Sequence, residues 1–540
     1  MAQDDRACSR KLKSLRQSVD WENEAQRDEL YEQLYELIRD WEGRYPDLRD
    51  IFRPEEIDWL LMESVRNENR EMDAEPLVDF VVRCGYKDEA DEDVSVRRTT
   101  ALHYAIGYRF LCVVRGLFQI YDRYDVNYVD EESGLTHFHA ACVAGYEAAV
   151  RRFLELGRVD PNLQPSAAAD PPLHLALTHH RREVTKLLLK HGADPNLANA
   201  KGSTALHVMC EEHIDYDLAD ILFDFVSDEF GPVLVDARDK EGNTPLHLAL
   251  RHGHRNLTKL LLARGADPNI VNEDGETPLH VNCQRYRDDD LAELFFKVND
   301  EIKRTQVRVN VQDKLGRTPL QFAVARFLPN TVNSLLNRGA DMSSFVFPAS
   351  SQFRERIESR FDETQFNFKL GLAVGALLVV GHLERRGYTL ERGDALTIMR
   401  LFASYGLFEK TTPEVENWYD DEEFARTAKK LTIRRSLSLY ELIRLRAEEA
   451  AKLITCKDYL KVARSQKLWF LPHEPIDACA LHLCEKASRG FFRRWALDPL
   501  LKLTGHQLPI LCCEKIIKLL MNQDLWHICL AAAEQDEYSN

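Results

Sequence analysis

In the stretch Glu241–Asp274, EGNTPLHLALRHGHRNLTKLLLARGADPNIVNED, apolar positions fall into two short stripes with polar residues between them. Leu246, Leu248 and Ala249 mark the inward face of a first helix, and Leu260, Leu261 and Leu262 mark a second. Thr244-Pro245 sets the first start, because proline at a first helical position gives up a donor that would have no partner there. Gly253-His254 breaks the chain, and Gly265-Ala266-Asp267 ends the second helix. Toward the N-terminus, Leu30, Leu34, Leu37, Ile38 and Trp41 recur at helical spacing, and Pro54-Glu55-Glu56 opens another helix. Leu77–Gly85 reads as a second helix with its terminal glycine, followed by an acidic loop from Asp88 to Asp93. Beyond residue 345 longer helical segments replace the two-stripe pattern. The apolar run Leu370–Val380 stops at His382 and Glu384, about half a membrane span, so a buried helix is expected.

The two-stripe unit repeats. A tetrapeptide recurs as TALH at Thr100, THFH at Thr136, PPLH at Pro171, TALH at Thr204, TPLH at Thr244, TPLH at Thr277 and TPLQ at Thr318, with starts 36, 35, 33, 40, 33 and 41 residues apart. Two-helix units on a period near 33 residues resemble ankyrin repeats, which implies a solenoid of stacked helix pairs. GAD also closes the copies at Gly192 and Gly339. The copies at Thr204 and Thr277 carry about seven extra residues, in Asp215–Asp228 and Asp288–Lys303, expected as loops on one face. Gln321 replaces histidine in the last copy, as suits a terminal unit. His103, His139, His174, His207, His247 and His280 share one repeat position, so they are expected to be hydrogen-bonding staples rather than catalysts.

Composition narrows the function. The 540 residues are 44% hydrophobic, enough for two or three folded regions, and the formal charge of -17 disfavours an extended nucleic-acid surface. Twelve cysteines without paired spacing and an N-terminus lacking an apolar signal core point to a reduced, cytoplasmic setting. The basic run Ala425–Arg435 reads as a solvated helix face and can also serve as a nuclear signal. The sequence has no GxxxxGK[ST], HExxH or GxSxG motif, so neither an enzyme nor a cofactor is expected. Cys479, His482 and Cys484 lack the paired spacing of a structural zinc site.

The C-terminus supplies a second pattern, LPxxxxxKIIxLLxxxDL, running from Leu508-Pro509 through Lys515-Ile516-Ile517 and Leu519-Leu520 to Asp524-Leu525. Placed after ankyrin repeats, it is similar to the F-box-like segment of the PRANC family, the C-terminal domain of poxvirus ankyrin proteins, and Ser438–Leu453 resembles that domain's opening helix. The resemblance implies that the C-terminal helices dock on the Skp-type adaptor of a cullin ubiquitin ligase while the repeats hold a client protein. Leu508, Pro509, Ile510, Ile516, Ile517, Leu519, Leu520 and Leu525 would form the docking face, although the same residues suit a domain's own core. Leu511 and Cys512-Cys513 depart from the residues usual after Leu-Pro.

The expected organisation is all-α: an N-terminal helical region over 1–95, repeats over 96–345, a helical linker over 346–430 and the F-box-like domain over 431–540. Client contacts are expected at the turn tips Lys201, Glu241, Asp274 and Lys314 and on the inner helices at Glu211, Glu212, Arg251, His252, Gln284 and Arg285. The expected function is recruitment of a client to a ligase. A scaffold or inhibitor that sequesters a signalling protein without a ligase is the alternative.

Overall fold

The computed structural model describes residues 5–39, 41, 44–66, 74–89, 97–164, 170–212, 216–225, 231–353, 366–408, 419, 421–434, 437–465, 471 and 473–539. The expected acidic loops therefore lie partly outside the described residues, as do much of Pro348–Phe361, most of Thr411–Glu423, and Arg435. The chain forms two compact units, Met1–Asp267 and Pro268–Asn540. Helices dominate, and two short strands, Thr432–Arg434 and Leu437–Ser438, pair antiparallel.

In the first unit, helix pairs follow one another as the periodicity predicts: Ala101–Gly107 with Val114–Ile120, His137–Ala144 with Glu147–Glu155, Pro172–Thr178 with Arg182–Lys190, Ala205–Glu211 with Tyr216–Asp224, and Pro245–His252 with Arg255–Ala263. First helices pack on first helices of the adjoining copies, burying Leu102, Phe138, Leu173, Leu206 and Leu246. Pro54–Arg66 packs on Ala101–Gly107, and Glu75–Arg83 on Val114–Ile120, so these two helices act as one more degenerate copy. Arg98 ties them to the copy that starts at Thr100: it pairs with Asp58 and, at 3.1 Å, with Asp88, while the Tyr121 and Tyr128 hydroxyls donate to Asp58 and Asp88 at 3.0 Å. Burial pushes the Asp58 carboxyl up despite the arginine.

In the second unit the pairs Pro278–Cys283 with Leu291–Ile302 and Pro319–Ala325 with Pro329–Asn337 continue the pattern. Most of Asp288–Lys303 is helix rather than loop, because Phe295 and Phe296 give that stretch a buried face. Asp288 accepts from the Asn330 and Thr331 N–H groups at 2.9 and 3.0 Å, and Arg464 pairs with it at 2.9 Å. An insertion expected to be surface loop thus carries a buried anchor for later helices.

The apolar run lies within the helix Phe366–Arg385, which packs on Cys456–Ala463 and His473–Leu503. Among the described residues no helix is long and apolar enough to cross a membrane. Ser438–Leu453 is not one helix: Leu439–Arg444 ends at Leu445, and Ala447–Leu453 starts anew behind Arg446. Both residues take extended backbone angles, and the N-caps Ser438 and Arg446 each meet a glutamate at N3, giving two separate helix starts.

Candidate protein-interaction site

The repeated tetrapeptide is a hydrogen-bonded device. Each N-cap threonine donates its backbone N–H to Nδ1 of the histidine three residues on, at 3.0 Å for His103, 3.3 Å for His139 and 3.1 Å for His207, His247 and His280. Nδ1 is therefore the unprotonated ring nitrogen, and Nε2–H donates onward to a backbone carbonyl in the turn that leads into the next tetrapeptide. Those carbonyls belong to Tyr128, Leu163, Ser203, Asn243 and Arg317, at 2.9 to 3.3 Å from His103, His139, His174, His207 and His280. Burial pushes His103, His139 and His280 down to about 4 and also lowers His174 and His207, keeping all of them neutral near pH 7. Gln321 keeps only the first half of the device, its Oε1 accepting the Thr318 N–H at 2.8 Å, and no later TPLH copy follows it. Pro171 breaks the first half: it has no N–H, and the buried His174 Nδ1 has no partner among the described residues.

A second staple has a fainter sequence signal. Asn162, Asn196 and Asn310 each donate from Nδ2 to a carbonyl of the next copy, at Gly192, Pro232 and Gly339, and accept the N–H two residues on, at Asp194, Leu234 and Asp341. The recurring Asp-Pro-Asn of several copies is that signal, and it was missed. Asp236 stands at the same place, accepting the Asp267 N–H at 3.1 Å, and burial pushes its carboxyl up.

These bonds order the turn tips. In the first unit the Lys240 N–H donates to the Lys201 carbonyl at 3.0 Å, and in the second the Lys314 N–H donates to that of Asp274 at 2.9 Å. Gly202 and Gly275 make the approach possible: both have positive φ, and a Cβ on either would lie 2.9 Å from the neighbouring backbone nitrogen. Lys201 and Glu241 therefore stand on adjoining tips of one unit, and Asp274 and Lys314 on adjoining tips of the other, all four exposed. On the inner helices Glu212, Arg251 and His252 are exposed, while Glu211 is half-buried and its carboxyl is raised by burial. Arg251 reaches the Asn243 side chain at 3.4 Å, and the His252 ring lies 6.0 Å from that of His254. Gln284 donates to Glu276 at 2.5 Å, and Arg285 makes a two-point pair with Asp289 at 2.9 and 3.0 Å. A partner would have to compete for these two side chains. Leu315, 74% exposed at its tip, was missed, because a single apolar residue in a turn carries no periodic signal.

At the C-terminus, the helix Ile510–Leu519 packs on His473–Leu503. Arg489 and Arg493 hold its end, each donating to the Lys518 carbonyl at 3.2 Å, and the buried Asn522 side chain donates to the Glu485 carbonyl and to Ser488. Ile517 and Leu525 are buried, so these two members of the expected docking face belong to the domain's own core. Leu520 is half-buried. Leu508, Pro509, Ile510, Ile516 and Leu519 are exposed, as is Leu511, with Leu519 at 86%. The His482 Nε2 lies 2.9 Å from the Ile443 carbonyl, and among the described residues no group of three His, Cys, Asp or Glu could hold a metal ion.

A family model described as ankyrin repeats (3 copies) matches residues 116–199, 173–272 and 255–345. The mouse B-cell lymphoma 3 protein homolog is 32% identical over 219 residues, 39% of this chain and 45% of that protein. Human NF-kappa-B inhibitor alpha is 35% identical over 98 residues, 18% of this chain and 31% of that protein. The chain thus spans less than half the length of these curated relatives. Among solved structures, the ankyrin repeat domain of Bcl-3, a member of the IkappaB protein family, shares 30% identity at a TM-score of 0.35, over 39% of this chain and 90% of that one. Recurrent tetrapeptide, stacked helix pairs and family match converge on residues 116–345, and that stretch is built of ankyrin repeats.

Proposed function

We propose that this chain is a protein-binding adaptor whose repeats hold a client and whose C-terminal helices present that client to a Skp-type adaptor of a cullin ubiquitin ligase. The row of exposed apolar side chains on and before Ile510–Leu519 carries the second half. Leu511 is 71% and Leu519 86% exposed on a helix whose other face is pinned, a rigid apolar surface of the kind that fits a partner groove. Leu508, Pro509, Ile516 and Leu519 of that row belong to the LPxxxxxKIIxLLxxxDL pattern, and Leu511 extends it. The first half rests on the repeats and their ordered tips. Similarity to NF-kappa-B inhibitor alpha favours NF-kappa-B as the client, held in the cytoplasm.

The same similarity supports a second reading, in which the repeats sequester that factor and no ligase is involved. Affinity purification of the full chain beside its Leu511→Asp/Leu519→Asp variant separates the two. The adaptor reading expects Skp-type adaptor and cullin with the wild type, at least tenfold less with the variant, and equal client recovery from both. Client without adaptor from the wild type would leave sequestration.

A further inference from the structure

The repeat that begins at Thr277 differs from its neighbours in a way the client reading leaves unused. In the copies ending at Gly192 and Gly339, the glycine that follows the second helix in left-handed conformation also offers its carbonyl to the asparagine staple. In this copy the two roles separate. Lys303 takes the left-handed position, φ +54, directly after Leu291–Ile302. The staple from Asn269 falls on the Gln306 carbonyl and the Arg308 N–H, at 2.9 and 2.7 Å. The staple carbonyl lies three residues beyond the left-handed residue here and coincides with it in those copies, and the extra chain helps to line an open cavity of about 310 Å³.

The cavity has an apolar floor and a cationic rim. Phe296, buried, lines it with Val307 and Val309, and Lys303, Arg304 and Arg338 line it with Asp300 as the one acidic residue. Arg338 is committed, paired with Asp300 at 2.6 Å and lying 5.0 Å from the Phe296 ring centre. Lys303 and Arg304 are exposed and form no ion pair or side-chain hydrogen bond among the described residues. Arg308, beside the rim, stands where the equivalent staple positions are Asp194, Asp267 and Asp341 and, in one copy, Leu234, so the charge is reversed against three of the four. All this lies in a chain of formal charge -17, so the local excess of positive charge runs against the background. The volume is at the lower end of small-ligand pockets, room for one or two side chains and too little for a cofactor of nucleotide size.

We infer that this pocket is a binding site for an acidic segment of a protein partner: a glutamate or aspartate carboxylate meets Lys303 and Arg304 while its stem or an adjoining apolar residue rests on Phe296 and Val309. The occupant rests on the protein-binding reading above; the site itself rests on the inserted loop. Charge-assisted bonds to two unpaired cations supply the recognition.

The test is fluorescence anisotropy of a fluorescein-labelled peptide of alternating glutamate and leucine, titrated with the full chain at low salt. Wild type is expected to bind, and Lys303→Glu/Arg304→Glu to bind at least tenfold more weakly with an unchanged melting temperature. Lys452→Glu/Lys461→Glu, the same change of charge on exposed lysines of other helices, is expected to bind as wild type does. No binding by wild type, equal binding by the Lys303/Arg304 variant, or equal loss in the Lys452/Lys461 variant overturns the site. Client capture measured alongside keeps the readings apart: a client held while the peptide is ignored sinks the pocket alone, and peptide binding without a client sinks only the wider reading.

Discussion

Within the repeats, Leu173, Leu206 and Leu246 each lie under a neighbouring copy, and one motif recurs at the helix starts, as where the Thr204 N–H meets His207 and the other nitrogen of that ring meets the Asn243 carbonyl. In the C-terminal helices the buried bonds are made once and by unrelated residues, such as Asn522 with Glu485 and Arg489 with Lys518, and an apolar row at Ile510–Leu519 stays in water. A periodic fold can satisfy both sides of each unit with one rule. A non-periodic bundle has to solve each contact separately, and a face left uncovered there is information about partners.

The sharpest way to break this contrast is at Ile517 and Leu519, two residues apart on the same helix. Ile517→Ala removes a buried side chain and is expected to cost about 2 to 4 kcal/mol in urea unfolding, whereas Leu519→Ala should move stability by less than about 0.5 kcal/mol. Equal effects would mean that the exposed row is structural after all.

In the repeats the corresponding cut is His280→Ala, which leaves the buried Thr277 N–H without its acceptor, takes one of two donors from the Arg317 carbonyl and removes a buried ring, and should cost about 2 to 3 kcal/mol. His280→Gln, copying Gln321, keeps the cap and loses only the bridge, for about 1 kcal/mol. The histidines also set a pH window. Their folded pKa values are depressed, so the stability they confer is complete above the unfolded value near 6.5 and declines as pH falls toward about 4. Melting temperature followed from pH 7 to 4 should drop across that range, and less so in His280→Gln; a flat profile would contradict the neutral staple.

The smallest effect has the opposite sign. Pro171→Thr gives His174 Nδ1 the N–H and hydroxyl found in the other copies and is expected to stabilise by about 1 kcal/mol, the gained bonds exceeding the lost rigidity of proline. Unchanged or lower stability by urea unfolding would show that the orphan nitrogen costs nothing.

The parts legible in the sequence were those written more than once. Thr, Leu and His at fixed spacing specified the helix pairs and the staple, and Leu77–Gly85 was legible as a second helix with its terminal glycine. The asparagine staple was overlooked because Asp-Pro-Asn also reads as ordinary turn chemistry. The C-terminal pattern named the right helix but could not divide it into inner and outer faces: Ile516 and Ile517 are chemically alike and adjacent, and only packing on His473–Leu503 exposes one and buries the other. Extra length at Asp288–Lys303 read as loop because its acidic residues hid the helical face of Phe295 and Phe296.

The histidine bridge addresses a main-chain carbonyl, which every residue type supplies, so the bond survives whatever side chain the next copy places there. A whole unit can therefore be duplicated, deleted or exchanged within the array without a matching change in its neighbours. The chain's length is open to evolutionary adjustment in steps of one copy, and a glutamine in place of the histidine is the punctuation that closes the series.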